Sequence, residues 1–123
     1  MTKLISWFEI PALDLARARA FYDQIFGVSL QEWATGQVRM AVFPYDRDHA
    51  TGGCVQSGPG YTPSRDGAVL YLNAGDSIDA VLDRVPAAGG EVALPKTVLP
   101  EGMGVYAHIF DTEGNRVGLH AMK

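Results

Sequence analysis

The sequence predicts an α+β domain of two βαβββ modules, spanning about residues 3–58 and 66–122. Three observations predict it. Each half opens with an apolar run of strand character followed by a capped amphipathic stretch. Each half then continues with short apolar runs separated by turn residues, the pattern of further strands. The halves also align at a single offset: Trp7 with Leu70, Asp14 with Ser77, Leu15 with Ile78 and Gly27 with Gly90 are each 63 residues apart. Register needs gaps only after Gly90. Such repetition marks duplicated supersecondary units. Identity between the halves is low, so the pattern also admits two unrelated strand–helix units within one α+β domain.

In the first half, Leu4 to Ile10 is rich in β-branched and aromatic residues and reads as a strand. Asp14 is placed to cap a helix, because its carboxylate can accept the free amide hydrogens of the first turn. Leu15, Ala18, Tyr22, Ile25 and Phe26 form the apolar stripe of that helix. Gly27 can take the left-handed conformation that ends it. Val28–Trp33, Val38–Phe43 and Gly53–Ser57 read as strands. The segment from Gly58 to Gly67, with two prolines and three glycines, punctuates the chain.

In the second half, Ala68–Leu72 is a strand, and Ser77 caps a helix with Ile78, Val81, Leu82 and Val85 on one face. Pro86 weakens or ends that helix, since it lacks a donor and clashes with the preceding turn. Glu91–Leu94, Val105–Phe110 and Val117–Ala121 are strands, and Asp111–Asn115 is a turn.

Composition excludes several function classes. Ten Lys and Arg against fourteen Asp and Glu give a net charge of −4, with no basic run, so nucleic acid is not an expected partner. No stretch approaches membrane-spanning length. The single cysteine, Cys54, forms no internal disulfide, and the N-terminal stretch lacks a signal-peptide pattern. The expectation is a cytoplasmic protein. No phosphate-binding glycine loop is present.

Two stretches carry a family resemblance. FEIPALDLARARAFYDQIFGV, with Asp14, Phe21-Tyr22 and Phe26-Gly27, and FDTEGNRVGLH, with Asp111, Glu113-Gly114-Asn115 and Val117 to His120, resemble the vicinal oxygen chelate superfamily. This group contains glyoxalases, bleomycin-resistance proteins and extradiol dioxygenases. The resemblance implies a cupped eight-stranded mixed sheet with helices on its outer face. It also implies a small organic ligand and a homodimer. In metal-dependent members, each half supplies one ligand from its first strand and one from its last.

Carried onto this chain, those positions are Trp7, Leu70, Gly118 and a residue within Gly52–Ser57, where only Gln56 offers an oxygen. Trp, Leu and Gly side chains do not ligate such a cation. The resemblance therefore points to a metal-free branch, with no cofactor expected. Strands alternate faces, so Trp7 brings Glu9 into the cup, Leu70 brings Leu72, and Gly118 brings Arg116 and His120. The expected ligand-binding set is Trp7, Gln56, Leu70, Leu72, Arg116 and Gly118, with Glu9 and His120 as candidate catalytic groups.

Glu9 has two readings. It is a general base or cation anchor with a pKa raised by burial, or half of a structural salt bridge, for instance to Arg116. His120 is either its acid/base partner or a hydrogen-bonded, half-exposed histidine. His108 reads as structural, His49 as solvated and Cys54 as a small apolar filler. Tyr45, Asp46 and His49 lie on a loop placed to cover the cup. Three functions follow: a metal-free small-molecule-binding protein, a lyase or isomerase using Glu9 and His120, and a metal-dependent lyase or dioxygenase with relocated ligands Glu9, Gln56 and His120.

Overall fold

The computed structural model describes residues 3–123. The first module runs β1 (Trp7–Pro11), α1 (Leu15–Phe26), β2 (Gln31–Thr35), β3 (Val38–Val42) and β4 (Gly52–Ser57). The second runs β5 (Tyr71–Asn73), α2 (Ile78–Leu82), α3 (Val85–Ala88), β6 (Glu91–Val98), β7 (Val105–Phe110) and β8 (Arg116–Ala121). The duplication is thus real at the level of topology. The sheets have orders β1-β4-β3-β2 and β5-β8-β7-β6, and in each the first strand runs parallel to the last. The remaining neighbours are antiparallel, so both sheets are mixed.

The eight expected strands lie in two hydrogen-bonded sheets of four, one from each module. β1 and β5 are edge strands, and a groove lined by Trp7, Leu70 and Arg116 runs between the modules. Edge position also explains two prolines. Pro11 ends β1, and β6 continues four residues beyond its expected end at Leu94, through Pro95 to Val98. Irregular pairing at Val92–Leu94 and Leu94–Thr97 accommodates that proline.

α1 is the helix the sequence describes. The Asp14 carboxylate accepts from the Arg17 amide at 3.0 Å, and Gly27 closes the helix at φ 63°. Leu15, Ala18, Phe21, Tyr22 and Ile25 are buried. The second module departs from the expected single helix. Pro86 and the residues before it split the segment, leaving α2 and α3 as separate short helices. Ser77 stands at the N-cap position of α2 without a side-chain cap bond. The left-handed residue that closes α3 is Gly89 at φ 104°, not Gly90. Gly90 answers a different need: a Cβ there would lie 2.6 Å from the Phe21 ring.

One apolar core joins both modules, with Ile10, Tyr22 and Leu30 from the first and Ile78, Ile109 and Leu119 from the second. What aligns the modules is polar. Asp111 is only 5% exposed, yet its carboxylate accepts from the Tyr22 hydroxyl at 2.7 Å. It also accepts from the Glu113 and Asn115 amides at 2.9 Å and from the Asn115 side-chain amide at 2.9 Å. Asn115 reaches back to the Pro11 carbonyl at 2.7 Å and accepts from the Ser64 amide at 3.0 Å. Glu113 accepts from the Leu13 and Asp14 amides and pairs with Arg17 at 2.7 Å. The turn expected only to reverse the chain therefore fastens the second module to the β1–α1 junction.

Burial, and then the Asp111 charge, hold the Tyr22 phenol well above its ordinary pKa. Tyr22→Phe removes one donor from a carboxylate that keeps three others. It should lower unfolding stability by about 1–2 kcal/mol. Asp111→Ala strands several donors together and should cost more than Tyr22→Phe. Urea midpoints at an unchanged denaturant slope would check both values.

Candidate functional site

Each strand presents one side to the core and one to the open face. On β1, Phe8 and Ile10 pack inward, whereas Trp7 and Glu9 are exposed. On β8, Val117, Leu119 and Ala121 are in the core, leaving Arg116, Gly118 and His120 on the open side. On β7, the open side carries Tyr106, His108 and Phe110.

The second module contains a correction. Leu70 and Leu72 were expected in the cup; both pack against the core, Leu70 while also lining the groove between the modules and Leu72 a separate cavity, and Tyr71 takes the open face. The cause is one extra residue. The Ala12 amide closes the β1–β4 pair on the Gln56 carbonyl, and the Ala74 amide closes the β5–β8 pair on the His120 carbonyl. Ala12 lies two residues before Asp14, but Ala74 lies three before Ser77, with Gly75 turning at φ 79° between them. Counting back from the cap therefore lands one residue off, and a slip of one reverses every side chain.

In both modules an aromatic ring of the first strand lies over a glycine of the last. Trp7 pairs with Gly52 and Tyr71 with Gly118. A Cβ on Gly52 would lie 2.6 Å from the Tyr45 ring and 2.8 Å from Trp7, and one on Gly118 would lie 2.5 Å from Tyr71. These glycines are space for the rings. Of the positions that the family pattern gives to metal ligands, Trp7 and Gly118 carry no ligating side chain, and within Gly52–Ser57 only Gln56 offers an oxygen. Leu70, the fourth expected position, faces the core, and the Tyr71 hydroxyl is engaged by His108. Buried Gln56 accepts from the Cys54 thiol at 3.5 Å. These residues do not fit a family-type divalent cation. Among the described residues, no three of His, Cys, Asp and Glu cluster as a ligand set either.

The groove between the modules has a volume of about 510 Å³ and gathers Trp7, Glu9, Leu70 and Arg116 from the expected site residues. Thr62 and Ala68 of the connecting segment also line it. Glu9 is exposed rather than buried, and its carboxylate accepts from the Tyr61 hydroxyl at 3.2 Å. Arg116 does not pair with it. Gln56, Gly118 and His120 lie outside this groove. Leu72 lines a separate cavity of about 520 Å³ with Phe8, Phe26, Phe43 and Val81. His120 bonds the Met103 carbonyl at 2.7 Å and makes no hydrogen bond to Glu9. Its Nε2 carries the proton in that bond, because a carbonyl only accepts. Tyr45 packs on Trp7, while Asp46 and His49 of the same loop pair with each other at 3.0 Å. Burial, and then Glu9, push the Cys54 thiol up to about 11, so it stays protonated and unreactive near neutrality.

A second polar group on the open face is built around His108. Tyr71 Oη lies 2.7 Å from His108 Nε2, and Arg116 Nη1 lies 3.2 Å from His108 Nδ1. A guanidinium only donates, so Nδ1 accepts and the neutral ring carries its proton on Nε2. His108 then donates to the Tyr71 oxygen, leaving the phenolic hydrogen directed elsewhere. Partial burial, and then Arg116, lower the His108 pKa, which keeps the ring neutral at pH 7. Arg65 and Arg116 both lie over the Phe110 ring, at 4.0 and 4.8 Å from its centroid. Sequence reading treated His108 as structural and passed over Tyr71. The usable signal was Gly118, since a strand glycine marks the close approach of another group.

Arg116→Gln removes the cation beside His108. The His108 pKa should rise toward its ordinary value of about 6.5, as followed by the pH dependence of its ring proton NMR shifts. An unchanged midpoint would count against the assigned contact.

Comparison with known proteins was made by sequence and by fold. Residues 4–119 match the model of the Glyoxalase/Bleomycin resistance protein/Dioxygenase superfamily. A glyoxylase-like domain-containing protein of Didymella fabae is 32% identical over 114 residues, covering 90% of this chain and 88% of that protein. The fold is similar to a glyoxalase/bleomycin resistance protein from Streptomyces sp. CB03234, with TM-score 0.69, 22% identity, and coverage of 95% of this chain and 99% of that one. It is also similar to the fosfomycin resistance protein FosX of Listeria monocytogenes, with TM-score 0.65, 21% identity and coverage of 98% and 91%. Glyoxalase I from Zea mays superposes with TM-score 0.71 at 23% identity over 95% of this chain, which spans 45% of the maize protein's length.

Proposed function

The chain belongs to the Glyoxalase/Bleomycin resistance protein/Dioxygenase superfamily, and from that premise we propose that it binds a small organic molecule in the groove between its modules, without a family-type metal ion. The groove itself carries this reading. It is about 510 Å³ in volume, within the range of small-molecule sites. Trp7 and Leu70 supply apolar surface, and Glu9 and Arg116 supply polar anchors. The non-ligating residues Trp7 and Gly118 at family ligand positions support metal independence. Sequestration of the molecule is favoured over proton-transfer chemistry, because His120 is held by Met103 and Glu9 has only Tyr61 beside it. Glu9, Gln56 and His120 each have partners elsewhere, so relocation of a metal onto them is not favoured.

A thermal-shift screen of small organic molecules should yield binders that raise the melting temperature by mass action. The same compounds should quench Trp7 fluorescence, and Trp7→Ala should lose most of the stabilisation. Binders that act equally on Trp7→Ala would place the ligand elsewhere. Stoichiometric metal surviving dialysis would overturn metal independence.

The homodimer belongs to the same proposal. Trp33, on the edge strand β2, is 56% exposed, on a face that a second copy would cover. Light scattering should give twice the monomer mass, and Trp33→Glu should shift the population to monomer. A monomeric wild type at high concentration would remove the dimer from the proposal. No helix is long and apolar enough to cross a membrane. With one unpaired cysteine, we place the protein in the cytoplasm as part of this proposal.

A further inference from the structure

We propose that the apolar cavity of about 520 Å³ is a second ligand site, separate from the groove, and that it takes a small monocarboxylate with an apolar tail, its head seated on Arg84.

Both modules build this cavity. Phe26 ends α1 and Val28 follows it, Phe8 comes from β1, Phe43 from just after β3 and Leu72 from β5. Among the described residues, these are five of the eight hydrophobic side chains that lie partly buried at the margin of the core. The core's uncovered apolar surface is thus gathered in one place, where an apolar tail would remove it from water. The volume is within the range of small-molecule sites. Phe8 is the one residue shared with the lining of the groove, and Trp33 of the dimer face lines neither.

The charge comes from the chain that leaves α2. Ser77, Ala80, Val81 and Arg84 follow i, i+3, i+4, i+7 spacing, share one helical face and all line the cavity. Asp83 and Arg84 keep right-handed helical angles, so that face runs on past Leu82. Arg84 Nη1 donates to the Ile25 carbonyl at 3.1 Å, which holds the guanidinium beside the Phe26 end of the cavity. Among the described residues no carboxylate pairs with it, and its remaining N–H groups have no protein acceptor. A carboxylate matches the fork that remains. Asp76 lines the same cavity eight residues earlier, about 12 Å away along a helical path at about 1.5 Å per residue. It repels an anionic head, so the head is directed to Arg84 rather than to the start of α2.

The test uses octanoate, octanol and octylamine below their aggregation concentrations, with affinity read by calorimetry and the site by methyl NMR. On wild type, octanoate should shift the methyls of Val28, Leu72 and Val81 and leave those of Leu70, in the groove, in place. It should bind about tenfold more tightly than octanol, the scale of one charge-assisted hydrogen bond, and octylamine should bind no better than octanol. Arg84→Gln should abolish that preference and retain octanol affinity. An arginine that only satisfied the end of α1 would change the melting temperature and leave the preference intact. Ala80→Trp, at an exposed position of α2, should fill the cavity and abolish octanoate binding with the circular dichroism spectrum unchanged. Equal binding of octanoate and octanol to wild type overturns the acidic class of ligand. Methyl shifts confined to Leu70, or undiminished octanoate affinity in folded Ala80→Trp, overturn the cavity site and leave the groove reading standing. Octanoate that neither binds nor shifts any of these methyls overturns the site as well. The wild-type measurements do not depend on any variant folding.

Discussion

The carboxylate of Asp111 holds one module to the other, and the open face takes its shape from that attachment. Apolar packing is non-directional and tolerates sliding between two sheet–helix layers. The Asp111 network does not. It ties Tyr22 of α1, the Pro11 carbonyl at the end of β1 and, through Asn115, the Ser64 amide of the connecting segment to one turn. Glu113 adds the first amides before α1 and the Arg17 side chain. A buried charge is costly unless fully satisfied, and here it is. This turn fastens the second module to the end of β1, next to the groove that Trp7, Glu9 and Arg116 line.

On the same open face, Trp7 and Gly118 stand where the family pattern has ligands and do not fit a divalent cation. Replacing a ligand with an inert residue would leave a hole. In this chain the space is filled by rings laid over glycines, Trp7 on Gly52 and Tyr71 on Gly118. Each pair is a joint choice: the glycine removes a Cβ so that the ring can lie against the backbone. What remains is an aromatic surface with charge at two places, Glu9 and Arg116. Both charges are held by neutral partners, a phenol in one case and an imidazole in the other.

Much of the scaffold was legible along the chain, because its signals are local. Asp14 and Gly27 behave as expected within one helix; of the expected stripe Leu15, Ala18, Tyr22 and Ile25 are buried and Phe26 only partly, while Phe21 is buried in addition. The repeat of strand, helix and strands survives as two sheets of identical order. Trp7, Glu9 and Arg116 were placed together by alternation from the positions the family resemblance supplied, although His120, placed with them, lies outside the groove. The misses share a cause. Leu70 and Leu72 were assigned to the cup by counting from Ser77, and one additional residue at Gly75-Asp76 inverted the strand. Pro86 was read as weakening or ending the helix, and the segment does break ahead of it, with Pro86 in the first turn of a second short helix.

The sequence by itself determined the module plan, the caps, the core stripe and the lack of ligating side chains at Trp7 and Gly118. Those follow from residue type and short-range spacing, which the backbone's own hydrogen-bonding rules translate directly. Only the tertiary structure decided which face Tyr71 occupies, which nitrogen of His108 is protonated and where the Asp111 carboxylate finds its donors. Tyr22 and Asp111 are 89 residues apart, and Tyr71 and His108 are 37. Strand pairing brings such groups together, and its register depends on the total of all contacts rather than on any local pattern.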